Sequence, residues 1–159
     1  MAFDLKDSLI NGYTGSNWFI HRLADGLTQA ESMRQPFPGV NCLNWVLGHI
    51  ITRRNTALEV LGITSTWSQE VSNLYRSGSL PLEEQSEALR LDDLLGALDQ
   101  TEALICGALQ AMPATELETE VENDLGCKPR WGHLDGLLWH ETIHVGHLDL
   151  LRALILSTR

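Results

Sequence analysis

The sequence WGHLDGLLWHETIHVGHLDLLRALIL, residues 131–156, carries the longest helical pattern in the chain. Its apolar residues recur at spacings of three and four, as they do on a helix that packs against a core. They are Leu134, Leu137, Leu138, Ile143, Val145, Leu148, Leu150, Leu151, Leu154 and Ile155. This set covers more of the helix circumference than one core-facing stripe requires. We therefore expect a second buried face on this helix, most simply a homodimer contact.

Three segments upstream share this periodicity, near Leu5 to Leu27, Cys42 to Leu61 and Leu91 to Ala111. For the second of these helices Asn41 is a candidate N-cap, and Gly62 follows its end. No stretch shows sustained period-two alternation, so no strand is predicted. The connections at residues 62–90 and 112–130 are long enough to cross over a bundle. The sequence predicts an all-α four-helix bundle with long crossover connections.

The size and charge of the chain limit its functional class. A chain of 159 residues, 43% of them hydrophobic, is about the size of one globular domain, so we expect residues 1–159 to form a single unit. The formal charge of −10 has the wrong sign for a nucleic-acid surface. The three cysteines are irregularly spaced and the first residues do not resemble a signal peptide, which favours the cytoplasm. No apolar run reaches the length of about 18 residues needed to span a membrane.

Histidines are the informative feature of the last helix, since four of the six in the chain lie in it, at His133, His140, His144 and His147. At about 100° per residue all four share one stripe, and His140 and His144 are only about 6 Å apart along the axis. Two imidazoles at this i, i+4 spacing are a typical pair of metal ligands. A third ligand must come from another element. His49, inside the apolar second helix, is the natural candidate because a buried polar ring needs a partner.

These residues also resemble a known family. The segments NWVLGHI (residues 44–50) and HETIHVGHLDLLR (residues 140–152) are similar to the second and closing helices of the DinB-like (YfiT-like) metal-binding bundles. Asn17-Trp18 with Arg22-Leu23 resembles the first helix of that family. The resemblance covers nearly the whole chain outside the loops.

The resemblance implies a bundle, usually dimeric, in which three histidines bind a divalent metal such as zinc, nickel or iron. By this correspondence the ligands are His49, His140 and His144. Relatives include enzymes that transfer or use low-molecular-weight thiols, and many members have no assigned reaction. Relatives often have Gln where this chain has His147, so a fourth ligand, or a shifted triad of His49, His144 and His147, is an alternative.

Several reactions are compatible with such a site. Three neutral imidazoles leave an open position on a metal, where a thiol or a water molecule would lose its proton more easily. The leading hypothesis is a thiol S-transferase acting on a small electrophile; a metal-dependent hydrolase and a non-catalytic, structural metal protein are the alternatives. Arg53, one turn beyond His49, could bind a carboxylate of a substrate or thiol, although a solvated or dimer-bridging arginine is more usual.

The remaining polar and aromatic residues receive simpler interpretations. Glu141 adjoins His140 but is turned by about 100°, so we expect it on the helix flank rather than at the ion. His21 and His133 are expected to lie outside the metal site. The tryptophans at helical positions are expected in the core. They are Trp18, Trp45, Trp131 and Trp139.

Overall fold

The computed structural model describes residues 4–82 and 87–159. Within these ranges the order of elements is α1 (Leu5–Ala24), α2 (Gln29–Ser32), α3 (Leu43–Val60), α4 (Gln69–Tyr75), α5 (Leu91–Ala111), α6 (Ala114–Leu117), β1 (Glu120–Asn123), β2 (Gly126–Pro129) and α7 (Arg130–Leu156). The long helices α1, α3, α5 and α7 form the predicted all-α bundle. None of the described helices is long and apolar enough to cross a membrane.

The four long helices are arranged as a square in cross-section. Helix α3 packs against α5 and α7, and α1 packs against the same two helices, so α1 and α3 lie diagonally opposite. The chain therefore crosses the bundle between α1 and α3 and again between α5 and α7. As a result, the second and last of the long helices are neighbours, which brings their histidines to one interface. The connection at residues 112–130 is a crossover, as predicted, but the prediction is wrong for residues 62–90, which join the neighbouring helices α3 and α5.

The N-cap residue of α3 lies one position later than predicted. Cys42 is the N-cap residue and makes no side-chain cap bond, so the prediction of Asn41 as the cap is wrong. The predicted end is correct: Gly62 has φ +80°, Ile63 N–H donates to Leu58 O at 2.8 Å, and Gly62 N–H donates to Glu59 O at 2.9 Å. These two bonds satisfy carbonyls that the last turn of the helix leaves free.

The connection between α3 and α5 packs against α3 through Tyr75 at the end of α4. Its ring is fully buried, its hydroxyl donates to Asn44 Oδ1 at 3.3 Å, and it accepts from Leu89 N–H at 2.8 Å. Gly48 lies beneath the ring, where any Cβ atom would clash with it. The close approach fixes the Tyr75 backbone beside the next residue of α3, His49.

The structure contains a β-hairpin, so the prediction of no strand is wrong. Strands β1 and β2 pair antiparallel, with Asn123 opposite Gly126, and Gly126 has φ +99°. Each strand has only four residues and is mostly exposed, so neither is long enough to show an apolar–polar alternation. The hairpin leads directly into α7 and closes one side of the bundle near Arg53.

A buried polar layer crosses the middle of the bundle and separates two apolar clusters. Arg54, on α3, is 1% exposed and donates to both carboxylate oxygens of Glu141 on α7, at 2.7 and 3.0 Å. It also donates to Asn17 Oδ1 and Leu98 O, on α1 and α5. Ser16 donates to Glu141 Oε1 at 2.5 Å. One guanidinium thus links all four long helices.

Candidate metal centre

His49 is held by contacts on two of its sides. It is 2% exposed, and its Nδ1–H donates to the Tyr75 carbonyl at 2.7 Å. Its ring stacks on Trp45 with centroids 5.0 Å apart and an interplanar angle of 6°. Because Nδ1 carries the donated proton, Nε2 of the neutral ring keeps a free lone pair. A backbone carbonyl bound in this way is a usual outer partner of a metal-ligating histidine.

His140 and His144 meet His49 from α7. Their Nε2 atoms are 3.2 Å apart, and the His49 ring centroid lies 5.2 Å from that of His140 and 4.8 Å from that of His144. One nitrogen from each ring can be chosen so that all three lie within 4.8 Å of one another. At metal–nitrogen distances of 2.0–2.1 Å, two imidazole nitrogens on a tetrahedral ion are about 3.3 Å apart. The α7 pair already has this spacing.

The surroundings keep the three imidazoles neutral. Burial, together with the charges of Arg53 and His140, lowers the pKa of His49 to about 4, although the bond to the Tyr75 carbonyl acts in the opposite direction. Burial, followed by the neighbouring histidines and Arg53, lowers the pKa of His144 to about 3. Burial and Arg53 also lower the pKa of His140. Neutral imidazole is the form that binds metal ions, so the site is prepared for a cation at neutral pH.

The structure brings together His49, His140 and His144 and leaves His147 on the outside of this cluster. His147 is exposed, and its Nδ1 lies 3.2 Å from Nδ1 of His144, the nitrogen on the far side of that ring from His140. In this geometry His147 orients His144 and does not converge with the other three. With Nε2 of His144 facing the other rings, its Nδ1–H donates to His147, and an acceptor that orients a ligand ring in this way is a common feature of metal sites.

The other residues singled out in the sequence have separate roles. His21 Nε2 lies 2.6 Å from Asp99 on the protein surface, and His133 Nε2–H donates to Val121 O at 2.8 Å. Glu141 points away from the histidines, as expected, but it is buried on Arg54 and not on the helix flank.

The prediction of core tryptophans is only partly right. Trp45 is 6% exposed, whereas Trp18 and Trp139 are 54% and 67% exposed. Helical position gives the direction of each ring but not whether a neighbour covers it. Trp18 instead stacks with the Arg22 guanidinium, and Trp139 lines a cavity beside His140.

The polar layer at Arg54 was not predicted from the sequence. A signal for it was present, since Arg54 stands in an otherwise apolar helix and a charge on a buried face must be paired. Its partner could not be chosen, because several carboxylates lie on neighbouring helices. Arg54 and Glu141 directly follow Arg53 and His140, so the layer sets the rotation of both helices at the histidine site.

Two cavities adjoin the three histidines. The larger, about 560 Å³, is lined by His49, His140, His144 and His147 together with apolar residues that include Phe37 and Leu150. No Asp, Glu, Lys or Arg of the described chain lines it. The smaller, about 360 Å³, lies on the other side of His140 and includes Arg53 and Lys128.

Comparisons with known proteins agree with this architecture. The family model described as the DinB superfamily matches residues 20–148. A crystal structure of a conserved protein from Enterococcus faecalis has a TM-score of 0.76 at 15% identity, and the match covers 98% of this chain and 99% of that chain. At that identity the likeness shows the fold alone. A search of curated proteins gave no match.

Proposed function

Because this chain belongs to the DinB superfamily and gathers three neutral imidazoles at one point, we propose that it is a metal-dependent thiol transferase. In this proposal His49, His140 and His144 bind one divalent ion, and a small thiol attacks an electrophilic carbon. The observation that carries the proposal is the geometry of the rings: the Nε2 atoms of His140 and His144 are 3.2 Å apart, and the outer nitrogen of His49 is bound to a carbonyl.

The chemistry divides between the ion and the side chains. An ion held by three neutral ligands keeps an open position and lowers the pKa of a thiol that binds there. Tyr75 O and His147 Nδ1 hold the rings of His49 and His144. In the transfer a sulfur–carbon bond forms, the bond from that carbon to the leaving group breaks, and the leaving group departs with the electron pair. The thiol proton passes to solvent.

The larger cavity suits the electrophile. Its side walls are apolar, with Phe37, Val40, Leu150 and Leu154 among them, and its ionisable groups are the four histidines. Such a pocket favours an uncharged acceptor with an apolar body. The pairing of Glu141 also favours transfer over hydrolysis. This buried carboxylate is engaged by Arg54 and is not available as a base for water.

Metal analysis of protein purified without a histidine tag tests the site. We expect about one equivalent of zinc, nickel or iron, the loaded ion depending on availability as well as affinity. His49→Ala should lose that ion while remaining folded. His21→Ala is the matched control, because His21 lies outside the cluster on Asp99. No uptake by the wild-type chain on titration, or full retention by His49→Ala, would contradict the proposed ligand set.

Chelation separates a catalytic ion from a structural one. The bundle has two apolar clusters of its own, so we expect the metal-free chain to stay folded by circular dichroism. Small thiols should then be screened against alkylating and aryl electrophiles with each metal in turn. Metal-dependent turnover that His144→Gln abolishes is the expected result. A chain that unfolds on chelation would instead have a structural ion.

A further inference from the structure

The smaller cavity shares a wall with the histidine site. It lies between α3, β2 and the first turns of α7, and its lining includes Arg53, Lys128, His133, Trp139 and His140. His140 lines the larger cavity as well. Arg53 does not line the larger cavity, but its Nη2–H donates to Ser77 Oγ, a residue of that cavity, at 3.3 Å. The two cavities therefore share the proposed ligand His140, and Arg53 lines one of them and contacts a wall residue of the other.

The cations of this cavity are unpaired within the described chain. Arg53 is half-buried and forms no ion pair there, and its one side-chain hydrogen bond is the long contact to Ser77. Lys128 likewise takes part in none of the described ion pairs. Three acidic residues, Glu59, Glu122 and Asp124, line a third cavity with Arg53, but none of them is in the described ion pairs with it. Two free cations beside one cavity favour an anionic ligand.

Two buried imidazole nitrogens in the same wall also lack partners. His133 is 2% exposed; its Nε2–H is used by Val121 O, and its Nδ1 has no hydrogen-bond partner among the described residues. Nδ1 of His140 is likewise buried without one. With Nε2 of His140 facing the proposed ion, Nδ1 carries a proton to donate. Buried polar atoms are seldom left unpaired, so a ligand with both an acceptor and a donor suits this wall.

We propose that the smaller cavity binds the carboxylate of the thiol substrate, while the larger cavity holds the electrophile. This inference rests on the proposed function. The Arg53 guanidinium offers paired donors to a carboxylate, and Lys128 adds a second positive charge. The Nδ1–H of His140 donates to the same anion, and Nδ1 of His133 accepts from a hydroxyl or amino group. The substrate class is a small polar thiol with a carboxylate.

Paired probes of equal length test the carboxylate preference. Protein loaded with Co²⁺ is titrated with 3-mercaptopropionate and 3-mercapto-1-propanol, and with 6-mercaptohexanoate and 6-mercapto-1-hexanol. The thiolate-to-cobalt absorption band gives each dissociation constant. For at least one chain length the carboxylate should bind about tenfold more tightly than its alcohol, which corresponds to one charged hydrogen-bonded contact.

Arg53→Gln should reduce that preference to nearly one while leaving the cobalt content and the affinity for the alcohols unchanged. Arg76→Gln is the matched control, because Arg76 is exposed and lines a different cavity. Equal binding of acid and alcohol at both lengths, or a preference that survives in Arg53→Gln, would overturn the inference and leave the metal site intact. Failure of cobalt to bind, or of the alcohols to change its spectrum, would overturn the proposed function and this inference with it.

Discussion

Arg54 and Glu141 form the most buried ion pair of the described chain, with side-chain exposures of 0% and 2%. Removing one member of such a pair leaves a charge without compensation in the core. We expect Glu141→Ala to lower the free energy of unfolding by about 3–5 kcal/mol. Urea denaturation followed by circular dichroism measures the change.

The matched control is the exposed pair Arg90–Asp92, whose exposures are 76% and 83%. Arg90→Ala should cost less than about 1 kcal/mol, because water screens a surface pair. Equal effects of Glu141→Ala and Arg90→Ala would show that the buried layer does not hold the bundle together.

The histidine site should make the metal-free fold sensitive to acid. The pKa values of His49 and His144 fall to about 4 and 3 in the folded chain, whereas an unfolded histidine titrates near 6.5. Between these values the unfolded state binds more protons, so the free energy of unfolding falls as pH drops from 6.5 towards 4. Above pH 7 these residues contribute no pH dependence.

Thermal unfolding in the presence of a chelator, at a series of pH values, measures this loss. The double variant His49→Gln/His144→Gln should lose less stability than the wild type over the same interval. An unchanged acid profile in that variant would show that other groups control the acid response.

Single residues show how far the sequence can be interpreted. The i, i+4 spacing of His140 and His144 predicts their convergence, because a regular helix fixes both directions. The buried context of His49 predicts that it needs a partner. The sequence could not predict that Glu141 pairs with Arg54 or that Trp139 is exposed, since both depend on which helix lies opposite.

Among the elements, the long helices were the most predictable. Apolar periodicity and the terminal Gly62 place α3 and α5 to within a residue or two of their observed ends. Trp67 and Tyr75, in the connection between α3 and α5, pack against each other with centroids 5.6 Å apart, as their apolar character suggests. The hairpin was missed because four-residue strands carry too few positions for a pattern to emerge.

The contact between α3 and α4 gives a prediction at this scale. A Cβ atom at Gly48 would overlap the Tyr75 ring, so Gly48→Ala must displace the residue whose carbonyl holds His49. We expect a loss of about 1–3 kcal/mol in the free energy of unfolding from overpacking, together with weaker metal binding. Denaturant titration and metal titration measure the two effects.

Gly96→Ala on α5 is the control, because nothing lies within 4 Å of a Cβ there. It should raise helix stability by about 0.5–1 kcal/mol and leave metal affinity unchanged. If Gly48→Ala matched this control in both measurements, the close approach of Tyr75 would not orient His49.

At the scale of the whole molecule, the outer face of α7 is unusually apolar. Trp139, Ile143, Leu150 and Leu154 are 67%, 40%, 61% and 40% exposed, and at 100° per residue they fall within about 60° of one another. A contiguous exposed patch of this kind marks an interaction surface. Since the patch is a single helix face, a second copy of the same face is the simplest cover, and we expect a homodimer.

Ile143→Lys should convert that dimer to a monomer, because it places a charge in the middle of the proposed contact. Sedimentation velocity over a range of concentrations measures the change. Leu80→Lys is the control: Leu80 is 85% exposed in the connection between α3 and α5, on another part of the chain. A wild-type chain that stays monomeric at high concentration would contradict the expectation.

The same face borders the candidate site, which links assembly to chemistry. Leu150 and Leu154 line the larger cavity, and Trp139 lines the smaller one. A second copy on α7 would therefore cover the mouths of both cavities and exclude water from the reacting groups. If the chain is a transferase, Ile143→Lys should lower kcat/KM while metal content stays the same, although Ile143 lines neither cavity. Unchanged kcat/KM in the monomeric variant would show that each copy works alone.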